Sequence, residues 1–477
     1  MFDRAKAGQS RERLVWLGVT VALIGVLFVV LLPTDVFAQA GAQHRTGETE
    51  RVLEVFSQVF RFVQDNYVDE VEADELIKGA LDGLFESLGD PHSKHLSAEE
   101  MRGLSDTTSG QFGGVGMYIS KQAPSGNGTP SYVEVVSPIE GTPAYFAGVQ
   151  SGDLIIRIEG ESTAPLSIDE VLNRLRGRPG SEVNITLRRG RTHEFDVDLV
   201  RDVIQVPTVR REMIDDDIGF MRIIQFTPYT DDRVRDAIKY FEENNYRSMI
   251  IDLRRNPGGL LSGVVDTADL FLDGGLVVGT RGRNPRENEQ FRATSGTAVS
   301  DEIPIVVLID GGSASAAEIL AGALKDRGRA FLIGETTYGK GSVQQVRRIG
   351  SGGFRLTMSR YYTPSGTYID KAGISPNTIV REPELSDQEL ESLATLRTER
   401  RVIRFVDQNP SPSAADVDAF IDRIESDGLS LRESLVRRLV RDEVNRVNNV
   451  TLVYDLDFDT VLQEAVRMLR DNQISLP

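Results

Sequence analysis

The spacing of apolar residues changes along the chain, and each change predicts a different kind of structure. Residues 49–106 carry apolar side chains three or four positions apart, which predicts amphipathic helices. Residues 109–202 alternate apolar and polar positions between glycine turns, which is typical of half-buried strands. Residues 205–385 combine short apolar runs with helical patterns, and residues 386–477 return to a charged helical pattern. We therefore expect a mixed α+β fold made of several domains.

Turn residues bound the strands that we expect in the two middle segments. In the first segment we expect one main helix, because Ser167 and Glu170 form a capping box ahead of an apolar face. In the second segment, apolar strands next to helices over 231–244 and 314–324 predict a layered α/β core. The predicted strands cover residues 115–120, 132–136, 154–158, 183–188, 194–199, 219–226, 248–253, 305–309, 330–333 and 354–361.

The first forty residues have the order of an export signal. Four basic residues within 1–13 precede an uncharged, mostly apolar run over 14–32, and small residues follow. This is the order of a secretory signal peptide, with cleavage after Ala38 or Ala40. The apolar run of nineteen residues is also just long enough to span a bilayer. We therefore expect an exported protein with either a cleaved signal peptide or a retained membrane anchor.

Composition and charge exclude several classes of function. The chain has 477 residues, 40% of them hydrophobic and 26% charged, so several globular domains with sizeable cores are expected. A net charge of −18 argues against a nucleic-acid-binding protein, which needs a basic face. The absence of cysteine excludes disulfides, thiolate metal sites and cysteine nucleophiles. Only four histidines are present, without a His-Glu-x-x-His motif, so we expect no metal and no cofactor.

Three glycine-rich segments that follow predicted strands hold the candidate chemistry. They cover residues 252–259, 311–316 and 334–341. The third is similar to a phosphate-binding P-loop, but Gly341 stands where that motif requires serine or threonine. A strand pattern follows it, whereas a P-loop needs a helix whose N-terminal amides bind the phosphates. Nucleotide binding is therefore not expected.

The second of these segments places serines at the start of a predicted helix. There, free backbone N–H groups and the helix dipole can stabilise an alkoxide and an oxyanion. Ser313 as a plain helix N-cap is the structural alternative. Residues 205–385 contain no histidine, so a Ser-His-Asp triad within them is excluded. Lys340 lies between two glycines after a buried-looking strand, and a desolvated lysine can act as a base, so the residues permit a Ser/Lys dyad.

Several stretches of the chain carry a recognisable pattern. They read FGGVGMYI, SGDLIIRIEG, IIDLRRNPGGLL, DGGSASAAEILAGALKDRGRAFLIGETTYGKGSVQ and YYTPSGTYIDKAGISPN. Taken together they are highly specific, and they resemble the carboxyl-terminal processing proteases, also called tail-specific proteases, which are serine peptidases with a PDZ domain. The resemblance extends from about residue 50 to residue 385, and YDLDFDTVLQEAVRML near the end is also similar.

The resemblance implies a catalytic site built on a serine and a lysine. The family's serine lies twenty-five residues before its lysine, which makes Ser315 rather than Ser313 the expected nucleophile and Lys340 the general base. Gln344 would orient the lysine, and Asp326 would be a third member, as in some relatives. The N–H groups that would stabilise the oxyanion belong to Ala316 and to Gly258 or Gly259.

The resemblance also implies that residues 109–203 form a PDZ domain that binds the C-terminal tail of a substrate. A glycine loop would offer N–H groups to the terminal carboxylate, and the strand after it would pair with the tail. Side chains of the helix would line a pocket. The residues expected in this site are Gly113, Gly114, Val115, Gly116, Val171 and Leu175. From the residues alone, a structural β-domain with an ordinary glycine turn is the alternative.

We therefore expect a protein with five segments. They are a signal peptide or membrane anchor over 1–40, a helical region over 41–108, the PDZ domain over 109–203, an α/β serine peptidase core over 204–385 and a helical region over 386–477 that is a candidate dimerisation arm.

The expected function is that of an exported serine endopeptidase that cleaves proteins near their C-termini. It would lie in a bacterial-type periplasm, soluble or tethered to the cytoplasmic membrane. The expected partners are protein substrates bound through their C-termini, further copies of the chain and an adaptor protein. A catalytically inactive, membrane-associated PDZ scaffold is the alternative.

Overall fold

The structure, a computed structural model, describes residues 35–474 apart from 99, 102, 104–110, 122–130, 140, 151, 191, 206, 351 and 449, and without the side chains of 35–47 and 169. The predicted basic and apolar stretches of the export signal lie outside the described residues. The chain divides into two compact units, one that ends at Gly89 and one that begins at Asp90.

The first unit contains two of the helices that the periodicity predicts, α1 (Asp35–Asn66) and α2 (Ala73–Glu86). Asp74 and Glu75 lie in the first turn of α2, where negative charge is favourable at the positive end of the helix dipole. Among the described residues, no helix is long and apolar enough to cross a membrane. Apolar side chains that are exposed in this unit include Val52, Leu53, Val55, Phe56, Val59 and Phe62.

The second unit begins with a small β domain built around one main helix. The helix, α4 (Ile168–Leu175), begins with the predicted capping box, since Ser167 and Glu170 each accept a hydrogen bond from the other's backbone N–H. A shorter helix, α3, covers Pro143–Phe146. The strands are β2 (Gln111–Gly114), β3 (Met117–Lys121), β4 (Val133–Pro138), β5 (Leu154–Ile158), β6 (Glu161–Ser162), β7 (Glu182–Arg189), β8 (His193–Val200) and β9 (Asp202–Gln205).

Most of these strands form one antiparallel sheet with the order β3-β4-β5-β7-β8, and β6 lies beside β5. Strand β2 pairs separately with β9, so the two ends of the domain meet. The alternation of β7 directs Val183, Ile185 and Leu187 into a core that also contains Val171 of α4. Helix α4 therefore packs on the sheet through one face.

A second, larger domain is built on a six-stranded sheet with the order β10-β11-β12-β15-β16-β19. All neighbours are parallel except β10, which is antiparallel to β11. Every residue of β12 and β15 is buried, because helices cover both faces of this sheet. The strands are β10 (Val209–Ile214), β11 (Ile218–Ile223), β12 (Ser248–Asp252), β15 (Ile305–Ile309), β16 (Phe331–Gly334) and β19 (Thr378–Ile379).

The helices on the two faces come from different parts of the sequence. One face packs against α5 (Thr230–Glu243), α6 (Leu261–Asp269) and α7 (Ala316–Asp326). The other face packs against α12 (Thr460–Arg470), from near the end of the chain. The layered α/β core expected from the apolar strands is therefore present, and the last helix completes it.

A second sheet lies in the same domain, in the order β1-β18-β13-β14, with β17 beside β18. A short 3-10 helix, Pro285–Glu287, separates two of its strands. The strands are β1 (Lys94–Leu96), β13 (Gly275–Gly282), β14 (Gln290–Ala293), β17 (Ser342–Ile349) and β18 (Gly352–Tyr362).

The charged C-terminal region divides its helices between two cores. Four helices form a cluster of their own, in which the rings of Phe405 and Phe420 stack with centroids 4.3 Å apart. The fifth, α12, belongs to the six-stranded sheet. The four clustered helices are α8 (Asp387–Thr398), α9 (Arg401–Gln408), α10 (Ala414–Ser426) and α11 (Glu433–Val447).

Candidate active site

Two loops at the carboxyl ends of central strands of the six-stranded sheet hold the predicted nucleophile and the two glycines of the predicted oxyanion site. Strands β12 and β15 are parallel neighbours, so the loops that follow them, 253–260 and 310–315, lie side by side. The N–H of Arg255 donates to Asp310 Oδ1 at 2.8 Å, and the N–H of Ala314 donates to the carbonyl of Asn256 at 2.9 Å. These bonds fix one loop against the other.

Ser313 is part of this connection and is not the helix cap. Its side chain is fully buried, and its Oγ donates to the carbonyl of Leu253 at 2.8 Å and accepts from the N–H of Asp310 at 3.0 Å. The N-cap position of α7 belongs to Ser315. Ser313 therefore has a structural role, and its hydroxyl is already engaged.

Ser315, the predicted nucleophile, has a strained backbone. Its φ of +55° and ψ of −113° lie outside the regions that residues with a side chain commonly occupy, and such strain is concentrated at functional sites. Gly258 packs directly against it, because a Cβ at that position would lie 2.7 Å from the Ser315 Cβ. The glycine loop therefore brings its backbone as close to Ser315 as van der Waals contact allows.

Two backbone N–H groups, one on α7 and one in the glycine loop that contacts Ser315, have no acceptor among the described residues. The N–H of Ala316, the first residue of α7, has no acceptor within the described part of the chain, as expected for a helix N-terminus. The N–H of Gly258 donates to Asn256 Oδ1 at 2.8 Å, whereas that of Gly259 has no acceptor among the described residues. Of the two glycines proposed from the sequence, the geometry favours Gly259.

Lys340, the predicted base, lies in the segment between β16 and β17 with its side chain half-buried. Burial lowers the pKa of its ammonium from the ordinary value of 10.5, the positive charge of Arg355 lowers the pKa further, and Glu318 opposes both effects. The glycine after it is required, because a Cβ at Gly341 would lie 2.1 Å from the backbone nitrogen of Asp370. The site thus makes it easier for Lys340 to lose its proton and become the neutral amine, the form that can accept a proton.

Glu318, which the sequence analysis did not single out, connects the two predicted dyad residues. Its carboxylate is fully buried in the first turn of α7. Its Oε2 accepts from the N–H of Ser315 and from the N–H of Lys340, both at 2.8 Å. The backbone nitrogens of Ser315 and Lys340 therefore lie within two hydrogen-bond lengths of each other. The signal was present in the sequence, since Ser315 and Glu318 have capping-box spacing.

The other oxygen of Glu318 is also fully bonded. Its Oε1 accepts from the Thr337 hydroxyl at 2.5 Å and from the N–H of Gly339 at 2.7 Å. Burial raises the pKa of Glu318 above its ordinary value, and these hydrogen bonds oppose that effect. Because four donors surround the two oxygens, a proton on either oxygen would face a donor, and the carboxylate is the form that fits.

Asp326 and Gln344 have hydrogen-bond partners outside the predicted dyad. Asp326 is the last residue of α7, whose eleven residues place it about 16 Å from Ser315 along the helix, and it accepts instead from the N–H of Ser365. The amide nitrogen of Gln344 donates to the carbonyl and hydroxyl of Ser342, at 3.0 and 2.6 Å. Within the described residues, no hydrogen bond joins Gln344 to Lys340. Asp326 is therefore distant from Ser315 along the helix, and the role expected of Gln344 stays a prediction.

The predicted tail-binding residues surround a groove between β3 and α4 of the β domain. This groove encloses a cavity of about 240 Å³ that Gly114, Val115, Gly116 and Leu175 help to line, while Gly113 pairs with Val203 in the strand beside it. Leu175 gives the wall opposite β3 an apolar part, so the groove suits an extended segment that carries an apolar side chain.

One tail-binding residue was assigned to the wrong position. Val171 is fully buried in the core of the β domain and does not reach the groove. Its neighbour Leu172 lines the groove instead, together with Arg176, whose guanidinium lies 5.0 Å from the ring centroid of Phe112. The positive charge of Arg176 at this groove is favourable for a carboxylate. Neither Leu172 nor Arg176 was predicted from the sequence.

Within the described ranges, no group of three or more histidine, aspartate and glutamate side chains is placed to hold a metal ion. The chemistry available at the site is that of a serine, an amine and backbone N–H groups.

Comparisons with known proteins match the chain to described families in three places. Residues 217–380 match the model of peptidase family S41, residues 134–189 that of a PDZ domain, and residues 34–100 that of the activating protease CtpB N-terminal domain.

Curated relatives match over most of their length. A carboxy-terminal-processing protease of Bartonella bacilliformis is 37% identical over 415 residues, which is 86% of this chain and 93% of that protein. The carboxy-terminal processing protease CtpA of Bacillus subtilis is 32% identical, over 75% of this chain and 78% of that protein. The solved structure of a photosystem II D1 C-terminal processing protease is 27% identical, with a TM-score of 0.42, and covers 69% of this chain and 92% of that one.

Proposed function

Since the chain belongs to the carboxy-terminal-processing serine proteases of peptidase family S41 and carries a PDZ domain, we propose that it cleaves protein substrates near their C-termini with a Ser315/Lys340 dyad. The observation that carries the dyad is the Glu318 carboxylate, whose Oε2 accepts from the N–H groups of both residues. A serine peptidase with a lysine base needs neither metal nor nucleotide.

In the proposed reaction, the neutral amine of Lys340 takes the proton from Ser315 Oγ while Oγ attacks the substrate carbonyl carbon. The carbonyl oxygen becomes an oxyanion, which the N–H groups of Ala316 and Gly259 stabilise. The Lys340 ammonium then gives its proton to the leaving amine as the peptide bond breaks. Water, deprotonated by Lys340, hydrolyses the acyl-enzyme and restores Ser315.

The PDZ groove would select substrates by their C-terminal tail. The N–H groups of the loop at Gly114 and Gly116 would bind the terminal carboxylate, with Arg176 supplying positive charge. The tail would add a strand to β3, and its last apolar side chain would fill the space beside Leu172 and Leu175.

The dyad is tested by hydrolysis of a short peptide and of a protein substrate. Ser315→Ala and Lys340→Ala should each abolish cleavage of both while thermal unfolding stays that of a folded protein. Lys340→Arg should also be inactive, because arginine does not give up its proton. Ser313→Ala should reduce cleavage less, since the Ser313 Oγ is already engaged with the carbonyl of Leu253. Lys239→Ala is the control, because the Lys239 side chain is exposed.

Either of two results would refute the assignment. Full activity of Lys340→Arg would show that the lysine is not the base. Complete loss in Ser313→Ala together with an active Ser315→Ala would make Ser313 the nucleophile. A wild-type protein that binds tails but cleaves no substrate would instead be the PDZ scaffold.

We also propose that the protein acts on the exported side of the cytoplasmic membrane. The support is the order of the first forty residues, in which a basic stretch precedes an apolar run and small residues. N-terminal sequencing of the native protein decides how it is held: a start at Gln39 or Gly41 means cleavage, and an intact N-terminus means an anchor. A cytosolic location would refute export.

A further inference from the structure

The side chain of Arg254 is held between two carboxylates at the carboxyl end of β12, a central strand of the six-stranded sheet. Asp252, at the end of β12, accepts from its Nε and from one terminal nitrogen, both at 2.9 Å. Asp459 accepts from both terminal nitrogens, at 2.9 and 2.5 Å. The side chains of Arg254, Asp252 and Asp459 are only 14%, 2% and 11% exposed. Solvent therefore screens these charge-assisted bonds little.

Asp459 lies 205 residues from Arg254 in the sequence, at the N-terminus of α12. Its Oδ1 also accepts from the N–H of Leu462 at 2.9 Å, so the same carboxylate caps the helix. Val461 and Leu462 of that helix are buried against the sheet. Asp459 is therefore mounted on a rigid, well-packed element.

Arg254 itself belongs to the loop that supplies the oxyanion N–H group. The residue before it, Leu253, accepts from Ser313, and the residue after it, Arg255, donates to Asp310. Asn256 and Gly259 follow within five positions. Any displacement of Arg254 is therefore transmitted directly to the turn beside Ser315.

Packing alone does not hold this loop on the side of α12. A cavity of about 530 Å³ opens there, lined by Arg254, Asp459 and the segment that leads into α12. A side chain that borders a cavity lacks close neighbours on that side, so polar bonds must fix its position. The bonds to Asp459 connect the loop to α12 along the border of this cavity.

From this geometry we propose that Asp459 is a positioning residue of the peptidase site, which holds Arg254 and thereby fixes the oxyanion turn that ends at Gly259. This proposal rests on the proposed function, but it assigns a catalytic contribution to the last helix of the chain. The end of the C-terminal region thus takes part in catalysis without touching substrate.

The test distinguishes the role of Asp459 as the N-cap of α12 from its contact with Arg254. Asp459→Ser keeps a good helix N-cap but loses the bidentate contact, and Asp459→Asn keeps the shape of the side chain while removing its charge. Asp471→Asn is the matched control, because that carboxylate pairs with Arg467 at the other end of α12, where both side chains are 49% exposed.

We expect kcat for a short peptide to fall roughly 10- to 100-fold in Asp459→Ser and Asp459→Asn, since small displacements of a catalytic group cost this much. KM and the pH dependence of kcat should stay unchanged, because Lys340 is not moved. Inhibition by a peptide aldehyde, whose tetrahedral adduct needs the oxyanion site, should weaken by the same factor as kcat. Asp471→Asn should behave as wild type.

Hydrogen–deuterium exchange gives a readout that does not depend on activity. Backbone amides of residues 254–256 and 258–260 should exchange faster in both Asp459 variants, while α12 and the sheet keep wild-type protection. Wild-type kcat with unchanged exchange would overturn the proposal, as would faster exchange spread over α12 and the sheet. If the wild-type protein cleaves nothing, the proposed function fails, and the exchange measurement still decides the role of Asp459.

Discussion

At the scale of single residues, the buried carboxylate of Glu318 connects the backbones of the proposed nucleophile, Ser315, and the proposed base, Lys340. Glu318 lies in the first turn of α7, three residues after Ser315. Its carboxylate accepts hydrogen bonds from the backbone N–H groups of both predicted dyad residues, Ser315 and Lys340. A helix that starts at the nucleophile therefore also holds the glycine segment that carries Lys340.

We predict that Glu318→Gln is well folded but nearly inactive. The amide NH₂ of glutamine is a donor, so it must face N–H or O–H donors where the carboxylate accepts four hydrogen bonds. We expect stability to fall by about 1–3 kcal/mol and kcat to fall roughly 100-fold, measured by thermal unfolding and peptide hydrolysis.

Glu335→Gln is the control for this change. Glu335 follows β16 in the same glycine segment, but it is exposed and pairs with Arg381 at 3.8 Å. It should retain wild-type activity and stability, because exposed ion pairs contribute little. Wild-type kcat in Glu318→Gln would show that the carboxylate does not organise the site.

Some residue assignments follow from the sequence and others do not, for identifiable reasons. The spacing of the family motif distinguishes Ser315 from Ser313, whereas the turn chemistry alone leaves both open. Asp326 lies eleven residues after Ser315, about three helical turns, so the two residues share one face of α7 but are separated by the length of that helix. The register of β17 against β18 shifts between Val343 and Gln344, and the alternation of apolar and polar residues cannot reveal such a shift.

At the scale of elements, helix α4 of the PDZ domain divides its apolar residues between two surfaces. Val171 is fully buried against the sheet, and Leu172 lines the groove. Both are apolar, so periodicity predicts the helix but not which residue faces the groove. The sheet packed against the other face of the helix decides this.

We predict opposite effects for two neighbouring substitutions in α4. Val171→Ala should destabilise the domain by about 1–3 kcal/mol, because it leaves a cavity in the core, and should leave tail affinity unchanged. Leu172→Ala should weaken binding of a peptide with an apolar C-terminal residue roughly 10-fold with little change in stability. Thermal unfolding and peptide titration distinguish them, and the reverse pattern would contradict the groove described here.

Buried apolar strands are predicted better than polar edge strands. The strands over 154–158 and 305–309 coincide with β5 and β15, which are apolar and buried. Strand β10 was not predicted, because Arg210, Arg211 and Glu212 give it the polar character of an edge strand. Backbone pairing with β11, rather than an apolar pattern of its own, holds β10 in the sheet.

At the scale of the whole molecule, the peptidase core is completed by residues from near the end of the chain. Composition separates residues 386–477 as a charged helical region, but it cannot reveal that α12 leaves the other helices and covers the sheet. Such long-range packing depends on complementary apolar faces rather than on local pattern.

We predict that a chain ending at residue 448 does not form a stable peptidase core. The truncation would expose Phe220, Ile250, Val306 and Leu308, which α12 buries on one face of the sheet. We expect aggregation, measured by size-exclusion chromatography and circular dichroism. The control is Arg470→Ala, since that exposed side chain reaches Asp215 without entering the core. A soluble, active truncated chain would contradict the prediction.

The most direct measurement of the central claim is the pH dependence with which Ser315 becomes acylated. A serine-reactive fluorophosphonate probe and peptide mapping by mass spectrometry give both the modified residue and the rate. We predict one adduct, on Ser315, whose rate of formation rises with pH through an apparent pKa below 10.5, because the neutral Lys340 amine is the active form. Lys340→Arg should form no adduct. An adduct on Ser313, or a Lys340→Arg variant that reacts at the wild-type rate, would contradict the account.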